Sequence, residues 1–269
     1  MNEYPKKPQP QDLDLAGQNI HFWRGGTGPA LLLIHSAWGD AEMSWSSVWD
    51  QISGSFTVIA PDIPGFGRSS PISQPTLSAM AGAFKKLLDA SHIDRAFVMG
   101  NSFGAAVAVQ FAADFPEATT RLVLVNGGYM PVLPDVVRKV IAWPRVNRMF
   151  RRLMLHLSFS SQALKKSFVN PSLLPSGFLE IIRGNSSVNS PVVFDTFMNI
   201  TRALPVPEMP TYLIWGAGDG LTPLKQAKAL QKKMPGTMLI SLEGAGHMPQ
   251  VERPREFVMA VISIGKSAG

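Results

Sequence analysis

The segment Ala96-Phe97-Val98-Met99-Gly100-Asn101-Ser102-Phe103-Gly104 passes from an apolar stretch into Gly-x-Ser-x-Gly, and an alanine-rich stretch follows up to Phe115. The apolar part predicts a buried strand and the alanine-rich part predicts a helix. A strand that runs directly into a helix needs a sharp turn, and Gly100 and Gly104 omit the side chains that would collide there. The hydroxyl of Ser102 is therefore expected above the end of the strand, where parallel sheets commonly place their sites.

A serine in this position needs a base before it can attack a carbonyl. His247 follows the apolar stretch Met238–Leu242, and Asp219 follows the apolar stretch Tyr212–Trp215. Both are thus expected on loops at strand ends, as Ser102 is. We predict that Ser102, Asp219 and His247 form a catalytic triad of nucleophile, orienting carboxylate and general base. The other histidines are not selected as the base, and two of them, His35 and His156, are interpreted as structural.

The chain resembles α/β-hydrolase fold enzymes over nearly its whole length. The order serine, aspartate, histidine is the order of that family. The motifs that carry the resemblance are the elbow Gly100–Gly104, the loop Pro61–Ser69, the acid loop Trp215–Asp219 with Pro223, and the histidine loop Gly246-His247 with Glu252 and Pro254. The resemblance implies a mostly parallel central sheet with helices on both faces.

The resemblance also implies an oxyanion hole made of two backbone N–H groups. One belongs to Phe103, directly after the nucleophile, and the other to Ala37, on the loop after an early strand. Relatives usually have His-Gly at the start of this loop, whereas this chain has His35-Ser36. We expect the Ser36 hydroxyl to hydrogen-bond locally and hold the loop.

Strand patterns alternate with helical spacers, which predicts a parallel sheet covered on both faces. Residues 1–12 are interpreted as a polar, proline-rich arm, and two short strands are expected at 13–16 and 20–24. The predicted core strands are 30–35, 56–60, 96–100, 122–126, 211–215 and 238–242. The gap between the fourth and fifth core strands is too long for a loop. It predicts an inserted helical cap at 131–208, with the core formed by 1–130 and 209–269.

Charge is concentrated in this predicted cap. The whole chain has a net charge of +6, and residues 131–208 contain ten lysines or arginines and four acids, which is 10 − 4 = +6. Within the cap, Arg145–Leu157 predicts an amphipathic helix with a basic side. That side is interpreted either as a solvated face or as a surface that attracts an anionic substrate or an acidic membrane. No nucleic acid partner is expected, because no nucleic-acid recognition motif accompanies the charge.

Composition limits the other possibilities. The chain has 269 residues, 45% of them hydrophobic, and no cysteine, which excludes disulfides and thiol catalysis. No apolar run approaches the roughly 20 residues of a membrane-spanning helix, and no signal peptide is apparent, so a cytoplasmic location is expected. The predicted chemistry requires no metal and no organic cofactor. The sequence does not indicate an oligomeric state.

The leading hypothesis is a serine hydrolase that acts through an acyl-enzyme on an apolar carboxylic ester. A second hypothesis is a carbon–carbon bond hydrolase of a diketone acid, since Gly100-Asn101-Ser102 is similar to the meta-cleavage-product hydrolases, which also use a cap arginine. A third is a non-catalytic ligand receptor on the same fold. Small-molecule substrate contacts are expected from five residues: Ser36, Trp38, Asn101, Arg183 and Met248.

Overall fold

The central sheet lies within residues 7–266, which a computed structural model describes. Its strands are β1 (Gln9–Asp14), β2 (Asn19–Gly25), β3 (Ala30–Ile34), β4 (Thr57–Pro61), β5 (Ala96–Asn101), β6 (Thr119–Val125), β7 (Thr211–Gly216) and β8 (Met238–Leu242). Within the described residues they form one sheet in the order β1-β2-β4-β3-β5-β6-β7-β8. The strands from β4 to β8 along this order are parallel, and β2 pairs antiparallel with both β1 and β4.

Helices surround this sheet and fill the segment between β6 and β7. They are α1 (Ala41–Ile52), α2 (Leu77–Ala90), α3 (Phe103–Asp114), α4 (Asp135–Ile141), α5 (Pro144–Phe159), α6 (Ser161–Ser167), α7 (Phe178–Met198), α8 (Leu224–Lys233), α9 (Pro249–Glu252) and α10 (Pro254–Lys266). The segment at 131–208, here called the cap, carries α4 to α7. No helix among residues 7–266 is long and apolar enough to span a bilayer.

Two apolar layers hold the helices against the two faces of the sheet. In β3, Leu32 and Ile34 pack in the layer that contains α2, α3 and α8, while Leu31 and Leu33 pack in the layer of α1 and α10. Successive side chains of a strand point to opposite faces, so a strand buried on both faces is apolar throughout. The predicted fold class, an α/β sheet with helices on both faces, is confirmed.

The N-terminal strand begins earlier than the hydrophobic pattern predicts. The predicted strand at 13–16 is instead β1, which starts at Gln9 and ends at Asp14, so part of the predicted polar arm belongs to the sheet. Its side chains are mostly exposed, and its backbone pairs with β2 from Gln9 opposite Arg24 onward. An edge strand can be held by its backbone hydrogen bonds without alternating apolar side chains. The hydrophobic pattern therefore did not indicate the first residues of β1. Residues 1–6 of the predicted arm lie outside the described residues.

The cap helix α5 spans Pro144 to Phe159, two residues beyond the predicted end, and begins with proline at its first position. Neighbouring elements cover only some of the apolar side chains of α5. Phe150 and Met154 are partly buried, whereas Met149, Leu153 and Leu157 are exposed. His156 is exposed too, which corrects the expectation of a structural histidine in an apolar environment.

Candidate active site

The turn between β5 and α3 has the sharpness that its two glycines predict. Ser102 has φ 55° and ψ −112°, a conformation that a residue with a side chain rarely adopts. A Cβ on Gly100 would lie 2.2 Å from the carbonyl oxygen of Gly104, and one on Gly104 would lie 2.3 Å from that of His35. Only glycine fits these crossings. The Ser102 N–H donates to the Val125 carbonyl at 2.8 Å, which fixes the turn against the neighbouring strand.

The Ser102 hydroxyl lies beside a histidine that is itself held by a carboxylate. His247 Nε2 is 2.8 Å from Ser102 Oγ, and His247 Nδ1 is 2.8 Å from Asp219 Oδ2. The side chains of His247 and Asp219 are 1% and 0% exposed. A neutral imidazole protonated on Nδ1 donates to Asp219 and leaves Nε2 free to accept the serine proton. The structure thus brings together three residues from three loops at the carboxyl edge of the sheet.

The Asp219 carboxylate is surrounded by hydrogen-bond donors. Oδ1 accepts the N–H groups of Leu221 at 2.8 Å and Thr222 at 2.9 Å, and Oδ2 accepts from His247 Nδ1 and from the Thr222 hydroxyl. Burial alone would raise the pKa of Asp219. The facing His247 and the bonds from His247 and Thr222 outweigh burial, so the pKa lies below its ordinary value. Asp219 is therefore held as a carboxylate, ready to stabilise an imidazolium.

Asn126 completes the carboxylate's environment, and the sequence reasoning missed it. It follows β6 with φ 46° and is buried. Its amide nitrogen donates to Asp219 Oδ2 and to the Gly246 carbonyl at 3.3 Å, while its Oδ1 accepts the Gly216 N–H at 3.0 Å. Asn126 therefore joins the acid loop to the histidine loop. Its position directly after a core strand was the available signal, because Ser102 and Asp219 follow their strands in the same way.

Glu252 holds the histidine loop through a hydrogen bond to its backbone. The sequence indicated Glu252 only as part of the histidine-loop motif. Its Oε2 accepts the Gly246 N–H at 2.7 Å, and its Oε1 accepts the N–H of Val169 in the cap at 2.8 Å. The His247 N–H donates to the carbonyl of Ser167, also in the cap, at 2.7 Å. Burial raises the pKa of Glu252 above its ordinary value, although these backbone bonds oppose the shift. The histidine loop is thus tied directly to the cap.

The loop after β3 begins next to the elbow, since a Cβ on Gly104 would lie 2.3 Å from the His35 carbonyl oxygen. The hydrogen bonds of the described residues use neither the Ala37 N–H nor the Phe103 N–H, which leaves both donors available. The Ala37 carbonyl accepts from Asn189 of α7 at 3.1 Å, a contact that the sequence did not indicate. His35 donates from Nδ1 to the Ser36 carbonyl at 2.7 Å and accepts the Ile63 N–H at Nε2, 2.8 Å away, so it is structural, as expected.

Ser36 and Trp38 have structural partners close to the site. The Ser36 hydroxyl is buried and accepts the Trp38 N–H at 3.4 Å, which is the local bond expected of it. The Trp38 ring lies 4.8 Å from the His247 ring between centroids, and its Nε1 donates to the Ser158 carbonyl of α5 at 3.2 Å. Trp38 therefore forms one wall beside the imidazole and also joins the core to the cap.

Three of the expected substrate-contact residues are bonded to, or enclosed by, other parts of the protein. Asn101 is buried, and its amide nitrogen donates to the carbonyls of Val125 at 3.1 Å and His247 at 3.2 Å, so it positions the histidine loop. Met248 is buried in a cluster with cap residues. Arg183 is exposed on α7, where it bonds Glu180 at 2.9 Å and Ser161 at 3.0 Å. The polar atoms of Asn101 and Arg183 bond to protein groups and Met248 is enclosed, and substrate contact by these residues stays a prediction.

A mainly apolar cavity of about 620 Å³ lies between the cap and the core. Its walls come from α5 and α7, from the loop after β6 and from the acid loop. Thr222 lines it and also lies 3.3 Å from His247 Nδ1, so the cavity adjoins the triad residues. Its apolar lining residues include Met130, Phe150, Met154, Phe159, Phe194 and Phe197. A pocket of this size and lining suits the apolar part of a small ligand.

Comparison with known proteins agrees with the fold. The family model described as alpha/beta hydrolase fold matches residues 29–254. A pyrrolizixenacetamide deacetylase of Xenorhabdus hominickii is 28% identical over 91% of this chain and 93% of its own length. A 2-hydroxy-6-oxo-6-phenylhexa-2,4-dienoate hydrolase of Burkholderia cepacia is 27% identical over 90% of each chain. The structure of a thermophilic esterase from Thermogutta terrifontis has a TM-score of 0.73 and 22% identity, covering 96% of this chain and 98% of that one.

The chain belongs to the α/β-hydrolase fold family, and this fold supports a hydrolytic enzyme that acts on a small molecule. Its relatives include both esterase-type and carbon–carbon bond hydrolases.

Proposed function

We propose that this protein is a serine hydrolase that acts through an acyl-enzyme on a carboxylic ester with an apolar acyl or alcohol part. The observation that carries the proposal is the continuous hydrogen-bonded array Ser102 Oγ, His247 Nε2, His247 Nδ1 and Asp219 Oδ2, with 2.8 Å at both outer contacts. These distances are within the reach that a nucleophile and its base require.

In the first half of the reaction, the Ser102 hydroxyl attacks the ester carbonyl while His247 Nε2 takes its proton. Asp219 stabilises the imidazolium that forms, which its lowered pKa favours because the carboxylate stays ionised. The tetrahedral oxyanion accepts hydrogen bonds from the N–H groups of Phe103 and Ala37. Each such donor typically contributes about 3 kcal/mol to lowering the barrier.

His247 then returns the proton to the departing alcohol, and the acyl group remains on Ser102. Water then attacks the acyl-enzyme, with His247 again acting as the base, and the carboxylic acid leaves as Ser102 regains its proton. No atom outside the substrate, water and these side chains is needed to balance the reaction.

The substrate class follows from the cavity beside Thr222. Its volume of about 620 Å³ and its aromatic and methionine lining favour an apolar group of small to medium size. Arg151 lines the cavity, but its guanidinium is paired with Asp195 and lies 4.1 Å from the Phe194 ring centroid. Arg152 also lines the cavity and forms no salt bridge among the described residues, so the mainly apolar lining is what favours a neutral ester.

A second candidate function is hydrolysis of a carbon–carbon bond in a diketone acid. The similarity to the Burkholderia cepacia dienoate hydrolase over 90% of both chains favours it. Arg183 is exposed and bonded to Glu180, so the cation available to a substrate carboxylate in the cavity would be Arg152 and not Arg183. The third hypothesis, a receptor without turnover, is decided by the same experiment.

The test is a steady-state assay of neutral esters with acyl chains of increasing length beside acidic diketones. We expect turnover of the esters, and a loss of about 10⁴-fold or more in the Ser102→Ala variant. The matched control is Ser78→Ala, which changes an exposed serine on α2 and should leave turnover unchanged. Turnover of diketones alone would select the second candidate, and no turnover of either class by folded protein would favour the receptor.

A further inference from the structure

The outer surface of α4 and α5 exposes apolar side chains at helical spacing. Val136, Trp143 and Met149 are 67%, 64% and 66% exposed. The exposed apolar residues fall into two rows, spaced by three or four residues: Val136, Val140 and Trp143 along α4 and its end, and Met149, Leu153 and Leu157 along α5. We call these six residues the α4–α5 face. An apolar row without a neighbour is costly in water, which indicates that something covers it.

This exposure is concentrated in the cap. Of the sixteen large apolar side chains that are exposed among residues 7–266, twelve belong to residues 131–208 and four to the core. The core helix α3, by contrast, buries nine of its twelve residues. The exposed apolar surface is thus a local property of the cap rather than a general property of this chain.

Basic side chains border the same face. Residues 135–159 contain six lysines or arginines and one acid, a net charge of 6 − 1 = +5. Arg138 is paired with Asp135 and Arg151 with Asp195. Within the described part of the chain the salt bridges involve none of the other four, which are exposed: Lys139, Arg145, Arg148 and Arg152. On α5 the arginines at 145, 148 and 152 follow one edge of the exposed arc, and the apolar row follows the other.

We propose that the α4–α5 face docks on the surface of an anionic lipid bilayer. A helix that lies in a membrane interface places an apolar row among the acyl chains and basic side chains at the anionic headgroups. The α4–α5 face has both features, and Trp143 is of the amphipathic residue type enriched at that depth. The charge of +5 opposes pairing of this face with the same face of a second copy, and its apolar row has no role on a nucleic acid backbone.

Docking in this way brings the cavity close to a lipid surface. Phe150 and Arg152 of α5 line the cavity, and the α4–α5 face uses the other positions of the same helix. An apolar ester that dissolves in the bilayer would then have a short path to the cavity. The docking itself is independent of the proposed hydrolase activity, so the Ser102→Ala variant should bind vesicles as the native chain does.

The direct test is co-sedimentation of the full chain with vesicles of phosphatidylglycerol and phosphatidylcholine, compared with pure phosphatidylcholine. We expect binding to the anionic vesicles alone, weakening as salt is added. Trp143 is the one exposed residue among the six tryptophans, so its emission should shift to shorter wavelength on binding and the shift should disappear in Trp143→Phe.

Two double variants separate the charge from the apolar row. Arg145→Gln with Arg148→Gln should weaken vesicle binding by about 25-fold, at roughly fivefold per charge. Its control is Lys225→Gln with Lys228→Gln, an equal change of charge on exposed positions of the core helix α8. Met149→Ser with Leu153→Ser should weaken binding at least about tenfold. Its control is Met238→Ser with Met259→Ser, since both methionines are exposed on the core.

Several results would overturn the docking proposal. They are equal binding to both vesicle types, no binding to either, or equal losses in the core controls. Dimers that dissociate in Met149→Ser with Leu153→Ser, without vesicle binding, would assign the face to a second copy. All variants are compared by circular dichroism, and a folded double variant of the α4–α5 face that binds anionic vesicles as tightly as the native chain would contradict the proposal.

Discussion

Glu252 Oε1 accepts the N–H of Val169 at 2.8 Å, so a side chain beside the histidine loop holds a residue of the cap. Its second oxygen holds the Gly246 N–H, next to His247. One buried carboxylate thus connects the candidate base to the element that covers the cavity. A shift of the cap at this point would be transmitted to the imidazole.

The first prediction concerns this connection. Glu252→Gln keeps one carbonyl acceptor but places an NH₂ group against a backbone N–H, which leaves a buried donor unsatisfied. We expect a loss of about 1–3 kcal/mol in the free energy of unfolding, measured by urea titration. Glu256→Gln on α10 changes a half-exposed glutamate and should stay within about 0.5 kcal/mol of the native chain. Equal stability of the two variants would show that the Glu252 bonds are not important.

A second prediction concerns Asn126. Asn126→Asp retains tolerance of the positive φ and the acceptor for the Gly216 N–H, but it sets a carboxyl group against Asp219. Loss of the donor to a charged partner should lower kcat for an ester by about 10- to 100-fold. Asn147→Asp, at a half-buried position of the cap, keeps its acceptor for Arg151 and should leave kcat unchanged. An unaltered kcat in Asn126→Asp would remove Asn126 from the positioning of Asp219.

The third prediction concerns pH and His35. Burial lowers the pKa of the His35 imidazole, and Asp62 and the Ser36 carbonyl offset this only in part. The folded chain therefore binds fewer protons than the unfolded chain below about pH 6.5, the ordinary histidine value. The free energy of unfolding should fall as pH decreases from about 6.5, by up to about 1.4 kcal/mol per pH unit from this group.

His35→Gln removes this titration, so its stability should depend less on pH between 7 and 5 than that of the native chain. Urea titrations of both proteins at the same pH values cancel the contribution of other groups. Parallel curves would contradict the assignment of a neutral, buried His35.

The fourth prediction separates the two enzymatic hypotheses. Arg183→Ala should change kcat/KM equally for neutral esters and for acidic substrates, because Arg183 is exposed and bonded to Glu180 and Ser161. The comparison variant is Arg151→Ala, which alters a cation that lines the cavity. A selective loss of acidic substrates in Arg183→Ala would place a carboxylate near α7 and favour the carbon–carbon bond hydrolase.

The core strands could be predicted because burial on both sheet faces makes them apolar without interruption. Met238–Leu242 has the predicted bounds, and β3, β5 and β7 differ from prediction by one residue at the C-terminal end. The bounds of β1 could not be predicted in full, because its extended conformation depends on pairing with β2 and not on its own side chains. The solvent exposure of Leu153 could not be predicted either, because helical periodicity shows which side of a helix is apolar but not whether another element covers that side.

At the site, the strand-end rule places Ser102, Asp219 and His247 correctly at one edge of the sheet. The same rule, applied to side-chain amides as well as to ionisable residues, predicts Asn126 as a residue of the site. The contact between Asn189 and Ala37 depends on how the cap packs on the core, which no local pattern encodes. Arg183 was selected from the resemblance to hydrolases that use a cap arginine, and the side of α7 on which it lies is set by that same packing.

Labelling of the native chain with a fluorophosphonate, followed by mass spectrometry of the labelled peptide, shows whether Ser102 is an activated nucleophile. A serine activated by His247 should carry the label at Ser102, and His247→Gln should slow labelling by at least about 100-fold. Folded protein that takes up no label at Ser102, or that is labelled equally fast without His247, would contradict the assignment of Ser102 as a nucleophile activated by His247.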